Sequence, residues 1–344
     1  MRLVKYMHLC GALLVGMSAA INPCVTQTTA GTFTDVPCFD GKGLLKTQWT
    51  TLTYSIPPQC VGAGSKSCGL IMDICGASMT SHVQNNNTNM QQLGRDNGYV
   101  VLSPSIGHQR PPTNAWNFKK DPQRLAELLL QAMDVLQIDE SKVHVMGFSQ
   151  GGMLVWTVVR YLQNIGKDVV ASAAPMSGPN NVSQYDIIDV LKPIINMSNF
   201  VQDLPSTPIP LLFTWGTKDK MLNPKCYPDS LAHIASAWHL GAPTALITDP
   251  LFNHTRQITR AGTVFEVMVW DYVADRSALG PLNPGLPGGH CFPGSKDAIF
   301  PNPFAGNYPL CAFACPTPDA AASKVVIGDE VMKFFIANPK GTTA

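Results

Sequence analysis

Five residues, Gly147-Phe148-Ser149-Gln150-Gly151, constrain this chain more than any other stretch because of what flanks them. The apolar run Val143-His144-Val145-Met146 ahead of them reads as a strand, and the run from Met153 to Ile165 behind them reads as a helix. A chain that goes from strand to helix in so few residues must turn sharply, and the serine at the apex must hold a strained backbone. Glycine on both sides lets the strand and the helix approach without a side chain between them. The serine hydroxyl is left standing above the sheet, where a nucleophile belongs.

The rest of the chain supplies a sheet for that turn. Apolar extended runs at 48–56, 69–74, 99–103, 143–147, 169–175, 209–216 and 263–272 alternate with helical patterns. In the helix over 121–137, Asp121 is read as the N-cap and Pro122 falls in the first turn. Further helices are expected over 230–240 and 327–337. This is an α/β pattern: a mostly parallel central sheet with helices on both faces. A Pro/Gly-rich loop covers 281–287, and 292–318 reads as a long irregular segment stapled by cysteines. With 344 residues, 45% of them hydrophobic and 14% charged, there is apolar material for a large core. No repeat and no linker divides it, so a single catalytic domain is expected over 21–344.

Arg2 and Lys5, an apolar stretch over 9–17 and the small residues Ser18-Ala19-Ala20 have the three regions of a secretory signal peptide, placing it at 1–20. The stretch is far short of the roughly 20 residues that span a bilayer, and no later segment reaches that length. An exported chain with ten cysteines is expected to carry disulfides. Losing Cys10 with the signal leaves Cys24, Cys38, Cys60, Cys68, Cys75, Cys226, Cys291, Cys311 and Cys315, an odd set with one thiol over or one intermolecular bond. Cys311 and Cys315 lack the second Cys or His pair of a zinc site, so disulfides are the better reading. Asn86, Asn181, Asn196 and Asn253 head glycosylation sequons. A formal net charge of +1 gives no sign of nucleic-acid binding. A secreted protein, extracellular or else periplasmic, monomeric and with no membrane partner, is expected.

In a doubly wound sheet the working groups gather at the carboxyl ends of the strands, so partners for Ser149 should follow later strands. The run 209–216 leads directly into Thr217-Lys218-Asp219, which makes Asp219 the candidate acid, with Asp271 at the end of the 263–272 strand and Asp275 past it as rivals. Of the eight histidines, His8 is in the signal, His144 is within a strand, and His233 and His239 lie on a helix. His290 stands in Gly288-Gly289-His290-Cys291-Phe292-Pro293-Gly294, where glycine and proline fix a loop. Ser149, Asp219, His290 is the chain order of α/β hydrolases. The chain reads as a serine esterase. His290 would take the Ser149 proton, and Asp219 would hold the ring. The backbone N–H groups of Gln150 and Cys75 would meet the carbonyl oxygen as it charges. Activity is expected to fall as the base takes a proton, below about pH 6 to 7 for an ordinary imidazole. This chemistry needs no metal and no organic cofactor.

From about Gln48 to the final helix the chain resembles the polyhydroxybutyrate depolymerase and feruloyl esterase family of α/β hydrolases. Five segments carry the resemblance, in the family's order: Met72-Asp73-Ile74-Cys75-Gly76, Asn114-Ala115-Trp116-Asn117-Phe118, Gly147 to Gly152, Trp215-Gly216-Thr217-Lys218-Asp219, and Gly288 to Gly294. The resemblance implies an α/β-hydrolase fold and the same Ser149, Asp219, His290 triad. Asp73-Ile74 stands where the family has His-Gly, Trp215 where it has a histidine, and Phe292 where it has a tryptophan. Trp116 and Trp215 are candidates for an apolar platform under an ester chain, or else half-buried core aromatics.

The implied substrate is a polyhydroxybutyrate-type polyester or a hydroxyalkanoate oligomer, cleaved through an acyl-serine. The alternative is a feruloyl or acetyl ester of the plant cell wall. A third possibility, from another class, is a secreted binding protein on an inactive hydrolase scaffold.

Overall fold

The computed structural model describes residues 23–41, 47–62, 67–77, 79–106, 115–182, 204–273, 288–295, 314–315 and 325–341. The signal region, Cys10, Asn114, Asn196, Asp275, 281–287, Cys311 and most of 292–318 lie outside them.

The strands are β1 (Gly31–Asp40), β2 (Thr47–Ile56), β3 (Gly69–Ile74), β4 (Tyr99–Ser105), β5 (Val143–Phe148), β6 (Ser172–Met176), β7 (Leu211–Gly216), β8 (Thr244–Asp249), β9 (Phe252–Ile258) and β10 (Val264–Trp270). They form one sheet in the order β1-β2-β4-β3-β5-β6-β7-β10-β9-β8. Every neighbouring pair from β4 to β10 is parallel. The outer pairs β1·β2, β2·β4, β10·β9 and β9·β8 are antiparallel. An antiparallel start, the β4-β3-β5 reversal and parallel strands from there to β10 make up the α/β-hydrolase sheet.

All six residues are buried in each of β3, β5 and β7, as strands covered on both faces must be. The helices are α1 (Ser81–Thr88), α2 (Met90–Asn97), α3 (Asp121–Leu136), α4 (Gln150–Asn164), α5 (Cys226–Trp238) and α6 (Ile327–Ala337). Register sorts them between the faces. His144 of β5 pairs with Ser172, while Ala173 pairs with Leu211, so His144 and Phe213 point to opposite sides. His144 stacks on Phe335 of α6 at 4.6 Å, and Phe213 meets Trp156 of α4 edge-on at 5.8 Å. α1 and α2 join α6, and α3 joins α4.

Five strands and two helices extend the expected pattern: β1, β8, β9, the short pair Phe292–Pro293 and Ala314–Cys315 within the stretch read as irregular, and α1 and α2. β1 carries Gly31 and Pro37, takes a positive φ at Asp35 and breaks register twice, as an edge strand can. β8 and β9 form an antiparallel extension beyond β10: β8 has an apolar run of only three residues, Ala245 to Ile247, and β9 is mostly polar. α1 (Ser81–Thr88) is almost wholly polar and lacks an apolar stripe. Asp121 corrects the expected cap: it lies inside the first turn of α3 and Lys120 is the cap. Its carboxylate accepts the Asn117 N–H at 2.7 Å, closing the turn ahead of the helix.

Candidate active site

Ser149 sits between the last residue of β5 and the first of α4 with φ 55° and ψ −120°. A non-glycine residue there holds a strained backbone, worth about 1–3 kcal/mol, that its surroundings must enforce. The enforcement is visible. The Ser149 N–H donates to the Met176 carbonyl at 2.8 Å, and the Ser149 carbonyl accepts the Met153 N–H at 2.9 Å. A Cβ on Gly147 would lie 2.6 Å from the Gly151 backbone, and one on Gly151 would lie 2.1 Å from the Ile74 carbonyl oxygen. Neither position has room for a side chain, so strand and helix meet at backbone contact. Phe148 and Gln150 are buried, and Ser149 between them is partly open.

The loop after β3 lies against this turn: a Cβ on Gly76 would be 3.2 Å from Ser149 Cβ. Gln150 and Cys75, the expected oxyanion donors, are joined there through Trp116. Gln150 Oε1 accepts the Trp116 N–H at 2.8 Å, and Gln150 Nε2 donates to the Trp116 carbonyl at 3.2 Å. The Trp116 indole N–H donates to the Cys75 carbonyl at 2.8 Å. Burial pushes the Cys75 thiol up to about 12, and it donates to the Met79 carbonyl at 3.3 Å, so it is a packing group with no thiolate character.

His290 Nδ1 and Asp219 Oδ2 are 2.6 Å apart, with both residues buried. Asp219 Oδ1 accepts the backbone N–H groups of Met221 at 2.7 Å and Leu222 at 2.9 Å. A further donor to Oδ2, the Tyr227 hydroxyl at the start of α5, had no signal in the sequence beyond standing eight residues after the acid. The acid and histidine loops are tied directly: Gly289 N–H donates to the Lys218 carbonyl at 2.8 Å, and Asp219 forms a bridge with Gly288. The imidazole also meets Phe148, the residue before Ser149, with ring centres 4.8 Å apart. Ser149 thus stands at the carboxyl end of β5 and Asp219 just past that of β7, with His290 bonded to Asp219 and packed on Phe148.

The rival Asp271 is committed elsewhere, taking the Thr217 hydroxyl at 2.5 Å and Lys218 Nζ at 2.9 Å. His144 belongs to the core; burial lowers it to about 3, and its Nδ1 lies 2.8 Å from the Ser172 hydroxyl. Trp116 is 2% and Trp215 7% exposed, and Trp215 stacks parallel to Tyr227 at 5.5 Å. Both rings sit in the core, with little face left to hold an ester chain. Disulfides join Cys24–Cys38, Cys60–Cys68 and Cys291–Cys315. Cys75 and Cys226 are buried and lie outside these three bonds, and Cys311, the ninth cysteine of the mature chain, lies outside the described residues.

No family model matches the chain. It is similar to a bifunctional acetylxylan esterase/xylanase of Neocallimastix patriciarum, 26% identical over 156 residues, 45% of this chain and 20% of that protein. The chain thus spans about a fifth of the length of this curated relative. A solved acetyl xylan esterase from Aspergillus awamori is 14% identical with a TM-score of 0.45, covering 64% of this chain and 87% of that one. A hyperthermophilic esterase from the archaeon Pyrobaculum calidifontis is 13% identical with a TM-score of 0.44, covering 60% and 71%.

Proposed function

We propose that this chain is a secreted serine carboxylic-ester hydrolase that works through Ser149, His290 and Asp219. The observation that carries the reading is the strained, partly open Ser149 at the same sheet end as a buried Asp219–His290 pair. His290 removes the Ser149 proton through Nε2 as the hydroxyl attacks the ester carbonyl, while Asp219 fixes the proton on Nδ1 and stabilises the imidazolium. The Gln150 N–H at the start of α4 and the Cys75 N–H after β3 receive the developing oxyanion. The leaving alcohol takes the proton from His290, and water, activated by the same ring, releases the acid from the acyl-serine.

For the substrate we favour a small acyl ester borne on plant-wall polysaccharide, acetyl first. Similarity to a protein named for acetylxylan supports it. The polyhydroxybutyrate reading keeps the support of the five ordered motifs. Three disulfides among the described residues support an oxidising, extracellular compartment.

The test is release of acetate from acetylated xylan, run beside an amorphous polyhydroxybutyrate suspension and 4-nitrophenyl acetate, with Ser149→Ala as control. The variant should lose on the order of 10⁴-fold or more in kcat/KM on whichever ester is cleaved. Hydrolysis that survives Ser149→Ala would refute the mechanism; release of hydroxybutyrate without acetate would move the substrate to polyester.

A further inference from the structure

One oxygen in the site serves two donors. Asp219 Oδ2 accepts both His290 Nδ1, at 2.6 Å, and the Tyr227 hydroxyl. The other carboxylate oxygen is filled by the Met221 and Leu222 N–H groups. Four donors thus converge on a carboxylate that is 3% exposed.

Tyr227 is held for this purpose from three directions. It is fully buried in the first turn of α5, its ring lies parallel to Trp215 with an interplanar angle of 3°, and its hydroxyl also faces the Ser177 carbonyl at 3.5 Å. Burial, and then the adjacent Asp219 charge, hold the phenol well above its ordinary range. It therefore keeps its proton and acts as a donor at every working pH.

We propose that Tyr227 is a positioning residue: its hydroxyl fixes the Asp219 carboxylate and, by sharing the oxygen that binds His290, sets how firmly the imidazole keeps a proton. The proposal rests on the esterase reading above only for its kinetic arm. Its physical basis is competition. A hydrogen bond from Tyr227 draws electron density from Oδ2, so less is available to stabilise an imidazolium at His290. Removing the hydroxyl restores that density and favours the charged ring. Among the described residues, the titratable groups against Asp219 and Tyr227 are His290 from the histidine loop and Cys226 from α5; Lys218 of the acid loop pairs with Asp271, and the exposed Lys220 lies along Gly288. None of these can replace the lost donor.

The experiment is Tyr227→Phe, which keeps the ring against Trp215 and deletes one hydroxyl. Two readouts decide it. The acid limb of the pH–kcat/KM profile on 4-nitrophenyl acetate should move up by about 0.5 to 1 unit, with kcat reduced on the order of 10-fold and KM little changed. The proton resonance of His290 Nδ1–H, read by NMR without substrate, should move downfield as its bond to Asp219 strengthens. A second variant tests the opposite sign. With 3-fluorotyrosine at 227, a stronger donor, the limb should move down and the resonance upfield. An acid limb and a resonance unmoved in both proteins would overturn the proposal, even if Tyr227→Phe is less stable. The resonance needs no substrate, so a protein that cleaves none of the esters would overturn the esterase reading while the Tyr227 claim is still decided.

Discussion

Asp73 is a carboxyl placed where water cannot reach it. It is fully buried on β3, two residues ahead of Cys75, and its partners are neutral: Gln84 Nε2 at 2.7 Å and the Thr88 hydroxyl at 3.0 Å. Burial raises it, the two hydrogen bonds lower it only in part, and the result is about 7. The sign for stability follows. Between about pH 4 and 7 the unfolded chain has released a proton that the folded chain still holds, so stability contributed at this position falls as pH rises through that window and is flat above it. A shift of about three units corresponds to on the order of 4 kcal/mol. Asp73→Asn keeps an acceptor without the ionisation. Urea unfolding of the two proteins should give similar free energies at pH 4.5 and favour the variant by up to about 4 kcal/mol at pH 8. A wild-type to variant difference that is the same at both pH values would contradict the assignment. The sequence singled out Asp73 only as a departure from a family motif; that it binds α1 to the sheet depends on Gln84 and Thr88, whose helix has no apolar stripe to read.

The β5–turn–α4 element was legible because its rules are local. A buried run followed by helical spacing, with glycine where backbone meets backbone, has one reading. The same holds for α6, which ends where the apolar pattern ends. The elements that escaped are held by tertiary partners instead. β9 is fixed by pairing with β10 and by Glu266, which joins His254 at 2.7 Å and Arg256 at 2.8 Å across the ladder. Within the site, residues at strand ends were readable, but Tyr227 was not, because helical sequence does not say which side chain meets a loop eight residues back. The local rule can be tested. Gly151→Ala would drive a Cβ to 2.1 Å from the Ile74 oxygen and 2.5 Å from the Cys75 oxygen, both backbone atoms that cannot move without opening the β3–β5 pair. The expected loss is about 3 kcal/mol or more. Gly262→Ala is the control: φ there is 86° and no atom lies within 4 Å of the new Cβ, so only conformational strain, about 1 kcal/mol, is lost. Calorimetric melting of the two variants should separate them by several degrees; equal losses would mean that close approach at the turn is not what Gly151 provides.

Across the molecule, two disulfides secure opposite ends of the sheet, and this separates their effects on stability from their effects on catalysis. Cys68 stands directly before β3, at the amino ends of the parallel strands, and Cys60–Cys68 closes a separation of 8 residues. Cys291 stands directly after His290, and Cys291–Cys315 closes a separation of 24. In the chain-entropy picture these are worth about 2.5 and 3.5 kcal/mol, a small difference. Their positions differ far more. One flank of the His290 loop is tied to the acid loop through Gly289 and Gly288. The other is tied at Cys291–Cys315, where the short strands Phe292–Pro293 and Ala314–Cys315 pair and Gly294 N–H donates to the Cys315 carbonyl at 2.7 Å. Replacing both cysteines of that bond with serine leaves this flank of His290 held only by the two-residue strand pair and the Gly294 hydrogen bond. Replacing Cys60 and Cys68 removes no support from Ser149, Asp219 or His290. Melting should therefore fall by comparable amounts in the two double variants, while kcat, measured well below either midpoint, falls on the order of 10-fold for the Cys291/Cys315 pair and stays within about twofold for the other. Equal effects on kcat would show that backbone contacts hold the histidine loop without the disulfide.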